Sequence, residues 1–314
     1  MRIKHAAVCV VLAFGALRQP VAFGQEMATE SPVRLEARSL VRFNQYLYYG
    51  AFGRPRALAC DREKDEIWMA DSISGRIGVF RADGSEVYSF RSRQLVRDPL
   101  RIVIAPGGDL YVIEADRTKV RHFNYRGDFA GDVSLPEADY KRAIAAIAFD
   151  RAGNLYLGDN ATAEVVVLTP EGRVKLQFGS RGRDEGQFMA FAAIAVASDG
   201  SILVADQQAI GVQRFDAQGN FVAGWGKHEM GKGNFSLPSG LAVDKNDRIY
   251  VSDELRHEVD VFNIHGGLLA VFGGLGEGPG QLAFPTDVAV DGDGRIYVAE
   301  RSNARVQVFE LVEK

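Results

Sequence analysis

Short runs of apolar residues, separated by turns rich in Gly, Asp and Asn, follow one another along most of the chain. Runs of this length bounded by turn-forming residues predict β-strands. No ten-residue helical pattern stands between them, which argues against alternating strand–helix units. The pattern therefore predicts an all-β fold.

One pattern occurs six times: an apolar strand ends in a carboxylate, and Phe or Leu follows nine residues after the acid. The acids are Asp71, Glu114, Asp159, Asp206, Asp253 and Glu300, spaced 43, 45, 47, 47 and 47 residues apart. Each unit also has an apolar run before the strand that ends in the acid, and most units have another run after the Phe or Leu. Together with the strand that ends in the acid and the strand that ends in Phe or Leu, these runs make four strands. A four-stranded unit repeated at this period predicts the blades of a six-bladed β-propeller.

The sixth unit ends at residue 312 without a fourth strand. Residues Leu40–Phe43 resemble the fourth strands of the other units. We therefore expect the segment 25–53 to hold a strand, at about residues 38–44, that pairs as the outer strand of the last blade. Such pairing closes the ring and protects strand edges that would otherwise be free. The propeller itself is expected over residues 54–314.

The first 24 residues have a different composition from the rest. They show a basic start, an apolar run over residues 6–17, and small residues at Ala22 and Gly24. This order is typical of a secretory signal peptide, and the run is too short to span a bilayer. We expect export, to a periplasm or outside the cell, and no transmembrane span. The remaining Cys60 has no disulfide partner, and its apolar neighbours predict a buried, inert thiol.

The repeat resembles the NHL repeat, whose units carry a strand ending in Asp, an Asn-His-Arg loop and a strand ending in Val-Phe. Residues 300–309, ERSNARVQVF, have Asn303 and Arg305 in place, with Ala304 where the family has His. Residues 253–262, DELRHEVDVF, have His257 in the His position. The connections FGSRGRDEGQF and FGGLGEGPGQLAFP are also similar to the family, and the resemblance covers residues 54–309.

The resemblance implies the fold more than the function, because propellers carry many unrelated activities. NHL-type propellers are known as binding platforms for proteins and, in some intracellular members, for RNA. Related six-bladed propellers include lyases and lactonases with a metal in the central channel. The net charge of -4 gives no general attraction to nucleic acid, and export disfavours RNA as a partner.

Catalytic groups are not apparent in the sequence. Four histidines follow the leader (His122, His228, His257 and His265), and the repeat places them at four different depths, which disfavours a shared zinc. No nucleophile elbow or Ser-His-Asp set is present. The six strand-end carboxylates are interpreted as structural acceptors of backbone N–H groups. We predict no catalytic residue, no metal ligand and no cofactor, while a channel calcium or zinc ion stays an open alternative.

The repeats differ at the start of the innermost strand, near the channel mouth. Most units have a small residue there, whereas two units have Arg101 and Asp287, and Arg56 stands beside the same position in the first unit. With Arg117 and Lys119 in a neighbouring loop, these residues form the candidate binding surface. The sequence thus favours a non-catalytic platform for an envelope or extracellular protein, or for a small ligand. The alternative is a metal-dependent lyase or lactonase, and the oligomeric state is not predicted.

Overall fold

A computed structural model describes residues 35–91 and 98–313, so the expected leader at 1–24 and residues 25–34 lie outside the described part. The described residues form β-strands joined by turns and loops, without helices. Six sheets of four strands are arranged as the blades of a ring. The all-β propeller predicted from the repeat is confirmed.

The chain starts its described part with three strands, β1 (Leu35–Phe43), β2 (Gln45–Tyr46) and β3 (Gly50–Ala51). Blades 1 to 5 follow in order, each with an inner strand first and an outer strand last. Blade 1 has β4 (Pro55–Asp61), β5 (Glu66–Asp71), β6 (Arg76–Arg81) and β7 (Glu86–Phe90); blade 2 has β8 (Pro99–Ile104), β9 (Leu110–Glu114), β10 (Val120–Phe123) and β11 (Phe129–Asp132); blade 3 has β12 (Ile144–Phe149), β13 (Leu155–Asp159), β14 (Glu164–Leu168) and β15 (Val174–Phe178). Blade 4 has β16 (Phe191–Val196), β17 (Ile202–Asp206), β18 (Val212–Phe215) and β19 (Phe221–Trp225); blade 5 has β20 (Pro238–Val243), β21 (Ile249–Asp253), β22 (Glu258–Phe262) and β23 (Leu268–Gly273).

Blade 6 combines both ends of the described chain. Its first three strands are β24 (Pro285–Val290), β25 (Ile296–Glu300) and β26 (Arg305–Glu313), and its outer strand is β1. β1 runs antiparallel to β26, from Leu35 opposite Glu313 to Phe43 opposite Val306. The expected closing strand is confirmed, and it is longer than the stretch 38–44 that the sequence predicts. The inner strands of blades 6 and 1 also touch, which completes the ring.

The hydrophobic core is divided among the blade interfaces. Six clusters of buried residues are found in the described part, and each joins two neighbouring blades. The Phe or Leu nine residues after each strand-end acid is almost fully buried in one of these clusters: Phe80, Phe123, Leu168, Phe215, Phe262 and Phe309. This burial explains the constant offset, because the large side chain closes the outer part of every interface.

The antiparallel pairing gives the ring two different faces. Each inner strand begins opposite the end of its second strand, as Pro55 does opposite Asp71 in blade 1. We call the side where the inner strands begin the mouth face. It carries the loops between second and third strands and receives the connections between blades. The opposite face carries the turns between first and second strands and between third and fourth strands.

The described residues contain no helix of the length and apolarity that a membrane crossing by a helix requires.

One position in the third strand differs between blades in its polar chemistry. In blades 4 and 6 it holds Gln213 and Gln307. The Gln213 side chain accepts an N–H from Gly186 and donates to the Gln187 carbonyl, at 2.8 Å each. Gln307 makes the equivalent two bonds to Gly280 and Gln281. These glutamines therefore fix the end of the preceding blade connection.

Blade 5 has Asp260 at this position, and its shorter side chain makes neither bond. Asp260 is fully buried, and neither carboxyl oxygen has a hydrogen-bond partner among the described residues. Burial, reinforced by the charges of Glu258 and Asp253 and opposed by Arg256, raises the pKa of Asp260 to about 7. A buried carboxyl without a donor favours the neutral form, because the protonated group needs less solvation.

This site predicts a pH dependence of stability. The folded chain holds the Asp260 proton up to about pH 7, whereas the unfolded chain loses it near the ordinary value of 3.8. The contribution of the Asp260 proton to the free energy of unfolding is therefore fully present below about pH 4 and is lost as the pH rises to about 7. Asp260→Gln, which restores the side chain of blades 4 and 6, should raise the free energy of unfolding at pH 8 by roughly 2–4 kcal/mol, since one pKa unit corresponds to about 1.4 kcal/mol.

Urea unfolding of the wild type and of Asp260→Gln at pH 5 and pH 8 measures this effect. The exposed Asp184, whose side chain accepts no hydrogen bond in the described part, offers Asp184→Asn as a control with the same loss of charge. If the free energy of unfolding changes between pH 5 and pH 8 by the same amount in Asp260→Gln and in the wild type, the Asp260 carboxyl does not titrate in this range.

Candidate functional site

The six inner strands surround a central channel with a cavity of about 650 Å³. Each inner strand lies at the edge of its sheet, so its unpaired backbone groups face the axis beside small and apolar side chains. The lining side chains include Leu58, Ile102, Ala193 and Val288. The volume is within the range of pockets that hold small molecules.

Arg101 crosses this channel at its mouth end. It belongs to β8 of blade 2, and its guanidinium donates to the Ala192 carbonyl of blade 4 at 2.9 and 3.2 Å. It also donates to the Ser239 carbonyl of blade 5 at 2.7 Å. Burial lowers the pKa of Arg101, the nearby Asp287 opposes this, and the charges of Arg56 and Arg117 lower it further. Arg101 thus links three blades across the axis.

Asp287 lies at the start of β24 and is buried. Its carboxylate accepts N–H groups from Leu58 of blade 1, at 2.9 Å, and from Val288, at 3.0 Å. Burial raises the pKa of Asp287, and the Arg101 charge counteracts it. The neighbouring position in blade 5 has to be Gly240, because a Cβ there would come within 2.4 Å of the Asp287 Oδ1.

Arg62 performs a similar task at the other end of the channel. It lies in the first turn of blade 1 and donates to the Val243 carbonyl of blade 5 at 2.7 Å. A longer contact of 3.5 Å reaches Val290 of blade 6. Sequence reasoning missed Arg62, because Arg151 and Lys245 occupy the matching turns of blades 3 and 5 and made a basic residue there look ordinary.

Arg56 and Arg117 stand at the mouth beside Arg101. Both are half-buried, and neither side chain has a hydrogen bond or ion pair with any residue in ranges 35–91 and 98–313. Burial, followed by the Arg56 charge, lowers the pKa of Arg117. At the same face Glu254 of blade 5 pairs with Arg301 of blade 6 at 2.8 Å. The structure therefore brings Arg56, Arg101 and Arg117 together, with Asp287 next to them.

Lys119 is not part of this group. Its side chain is exposed and pairs with Asp132 of β11 at 2.8 Å, so it lies at the outer part of blade 2. Because Lys119 stands two residues after Arg117 in the sequence, the two side chains were expected on a common surface. However, Lys119 comes immediately before the third strand, which leads away from the mouth.

The strand-end aspartates organise the mouth face. Each accepts N–H groups from the connection that enters its blade and from the loop that follows it. For Asp206 the donors are Met189, Ala190, Gln208 and Ala209, at 2.7 to 3.0 Å. Asp71 and Asp253 each have four such contacts, and Asp159 has two. The oxygens of these carboxylates are therefore occupied by hydrogen bonds from backbone N–H groups.

The two strand-end glutamates use arginine side chains as well. Glu114 accepts from Arg121 at 2.6 Å. Glu300 accepts from the Arg305 Nε at 2.5 Å and from the Ala283 N–H at 2.9 Å. Among the strand-end aspartates, Asp159 also has an arginine partner, Arg142, at 3.4 Å.

The described side chains of the channel do not form a metal centre. Across ranges 35–91 and 98–313, no group of three or more His, Cys, Asp or Glu residues is placed to hold a metal ion. His122, on the third strand β10, bonds the carboxylate of Asp109 in the turn before β9. The His257 Nδ1 accepts the Phe284 N–H beside a blade connection. Both oxygens of the Asp287 carboxylate at the mouth accept backbone N–H groups. Within the described part of the chain, the channel side chains therefore do not supply the three protein ligands that a catalytic zinc usually has.

Cys60 is half-buried and lines the cavity near Arg62. Burial is the first cause of a raised pKa for its thiol, and the Asp291 charge adds to it. The scarce thiolate makes this cysteine a poor nucleophile at neutral pH.

Exposed large apolar side chains are distributed unequally between the two faces. Eight lie in mouth-face loops and blade connections: Leu47, Tyr48, Tyr49, Ile73, Tyr140, Met230, Leu255 and Leu275. Five more lie on outer strands, and the opposite-face turns of the described chain have none. The sequence did not point to these residues, because apolar residues in loops can equally be buried.

The comparisons with known proteins agree with the repeat. The family model of the NHL repeat matches residues 235–262 and 282–309, which contain the first three strands of blade 5 and most of those of blade 6. The chain therefore contains NHL repeats in a six-bladed propeller. Among curated proteins, no sequence matches the chain.

Three solved structures illustrate the fold similarity. A virginiamycin B lyase from Staphylococcus aureus has a TM-score of 0.60 at 13% identity, over 89% of this chain and 100% of the lyase. A gluconolactonase from Xanthomonas campestris has a TM-score of 0.64 at 15% identity, over 83% of this chain and 87% of the gluconolactonase. A protein of unknown function from Bacteroides thetaiotaomicron has a TM-score of 0.67 at 14% identity, over 89% of this chain and 77% of that protein. At these identities the similarity shows the fold alone.

The position of Arg101 predicts a structural cost of its removal. Arg101→Met leaves two inner-strand carbonyls without their donor and Asp287 without its nearest counter-charge. The free energy of unfolding should fall by about 2–4 kcal/mol, as for other buried charged hydrogen bonds that lose one partner. Urea denaturation measures it, with Lys119→Met as the control, which should change stability by less than about 1 kcal/mol because exposed ion pairs contribute little. Equal stability of the two variants would contradict the role given to Arg101.

Proposed function

We propose that this propeller is an exported, non-catalytic platform that binds a protein partner on its mouth face. The proposal rests on one observation above all: exposed large apolar side chains are found in mouth-face loops and blade connections but in no opposite-face turn of the described residues. Exposed apolar groups concentrated on one surface mark interaction sites. Tyr, Leu and Met side chains also supply much of the contact energy in protein interfaces.

Most of these side chains belong to one part of the ring. Ile73 lies in blade 1, and residues 47–49 lie in the connection from blade 6 to blade 1. Leu255 lies in blade 5, with Met230 and Leu275 in the connections before and after that blade. Blades 5, 6 and 1 are consecutive around the ring, so a partner that contacts this sector can reach seven of the eight side chains.

The mouth face is also suited to binding by its rigidity. Its loops are fixed by the strand-end carboxylates, and Arg101 links blades 2, 4 and 5 beneath them. A surface that is already ordered loses little conformational entropy when a partner binds. The blades thus supply a fixed scaffold, and the loops supply the contacts.

Export is a further part of the proposal, supported by the leader-like residues 1–24, and places the partner in a periplasm or outside the cell. A small ligand at the channel mouth is an alternative occupant of the same face, because the cavity below it has about 650 Å³.

The enzymatic alternative is a metal-dependent lyase or lactonase. Its support is the shared fold with a lyase and a gluconolactonase. Within ranges 35–91 and 98–313, no three or more His, Cys, Asp or Glu side chains are placed together to hold a metal ion. Metal analysis of the purified full chain separates the two: one equivalent of zinc or calcium that survives dialysis would favour the enzyme.

Removal of the apolar contacts tests the platform directly. The triple variant Tyr48→Ser, Leu255→Ser, Leu275→Ser removes three exposed side chains from the sector of blades 5, 6 and 1. Each buried anchor typically contributes about 1–3 kcal/mol, so the partner should be held at least about 100-fold more weakly. The measurement is quantitative pull-down from the envelope fraction, with the captured protein identified and its affinity then determined with purified components.

The matched control is Val174→Ser, Val222→Ser, Leu268→Ser, which removes three exposed apolar side chains from outer strands. This variant should bind as the wild type does. The proposal is wrong if the outer-strand variant loses the partner and the mouth-face variant keeps it.

A further inference from the structure

The guanidiniums at the channel mouth differ in how they are satisfied. Arg101 already donates to backbone carbonyls of blades 4 and 5, so its hydrogen bonds are used within the protein. Arg56 and Arg117 are half-buried and have no acceptor in the described part of the chain. A partly desolvated guanidinium without an acceptor is unfavourable, and like charges beside it add to the cost.

The carboxylates at the mouth do not neutralise these two arginines. Both Asp287 oxygens accept backbone N–H groups, and Asp287 forms no ion pair within 4.0 Å in the described residues. Glu254 is paired with Arg301 of the next blade. The acidic groups that act on the mouth arginines are therefore occupied, and positive charge remains at the surface.

Arg56 and Arg117 come from neighbouring blades and both lie at the mouth face, close enough for the Arg56 charge to act on Arg117. Arg56 lies at the start of β4 in blade 1, and Arg117 lies in the loop after β9 of blade 2. The backbone of Arg117 has a φ of 57°, and its carbonyl accepts the Ile144 N–H of blade 3. The loop that carries this guanidinium is thereby fixed in the ring rather than left to solvent.

We propose that Arg56 and Arg117 together bind a carboxylate group of the protein partner at the channel mouth. Arginine presents donors in a planar fork that matches a carboxylate, and such pairs are among the stronger hydrogen bonds in proteins. Arg101 lies below them and adds its charge without giving up its own bonds.

A protein carboxylate is favoured because the exposed apolar side chain of Ile73 lies in the mouth-face loop of blade 1, the blade that also carries Arg56. An acidic side chain or chain terminus, flanked by apolar residues, would satisfy both surfaces at once. This inference rests on the proposed function and specifies which chemical group of the partner the mouth recognises.

The test uses an anionic peptide and does not need the partner. A fluorescein-labelled hexaglutamate peptide is titrated with the full exported chain, and fluorescence anisotropy gives the dissociation constant at low ionic strength. The double variant Arg56→Gln, Arg117→Gln should bind the peptide at least tenfold more weakly than the wild type. The control Arg173→Gln, Lys175→Gln has the same net charge and alters an exposed region of blade 3, so it should bind like the wild type.

Equal weakening in the two double variants would overturn the inference, since it would reduce the effect to overall charge. A second arm adds inorganic phosphate to the bound peptide. Displacement by phosphate at a much lower concentration than by acetate would assign the mouth to phosphate and overturn the carboxylate. Failure of this test would leave the capture of a partner by the apolar contacts unaffected, so the two proposals are distinguished.

Discussion

The fold depends on one constraint: the second face of each blade can be buried only against a neighbouring blade. Six clusters of buried side chains, one at each interface, satisfy this requirement around the whole ring. The interface between blades 6 and 1 includes Phe43 of the closing strand β1. Pairing of β1 with β26 gives blade 6 its fourth strand, so the two ends of the described chain close the ring.

The sequence predicted this architecture because the constraint repeats. A large side chain nine residues after each acid and a period of 43 to 47 residues follow from identical burial in every blade. The closing strand was predicted from the missing fourth strand, and the structure extends it back to Leu35. What repeats is visible in one sequence, because each copy serves as a comparison for the others.

The candidate site could be predicted only in part. Arg101 and Asp287 were noticed because they interrupt a run of small residues, but the length of a side chain across the channel is not visible in a pattern. Arg101 thus proved to donate to two other blades. Lys119 was included because it is close to Arg117 in sequence, but this closeness does not show how far its side chain lies from the channel mouth. The exposed residues 47–49 were missed since only the folded chain shows which loop side chains remain outside.

The proposed platform role requires that the partner contacts the mouth face. Site-specific photo-crosslinking in producing cells tests it most directly, with a benzophenone side chain placed at Leu255 or at His265 of the same blade. Leu255 is exposed in a mouth-face loop, and His265 is exposed in an opposite-face turn. A partner bound at the mouth face should be crosslinked from position 255 and not from position 265. A partner crosslinked from position 265 and absent from 255 would contradict it.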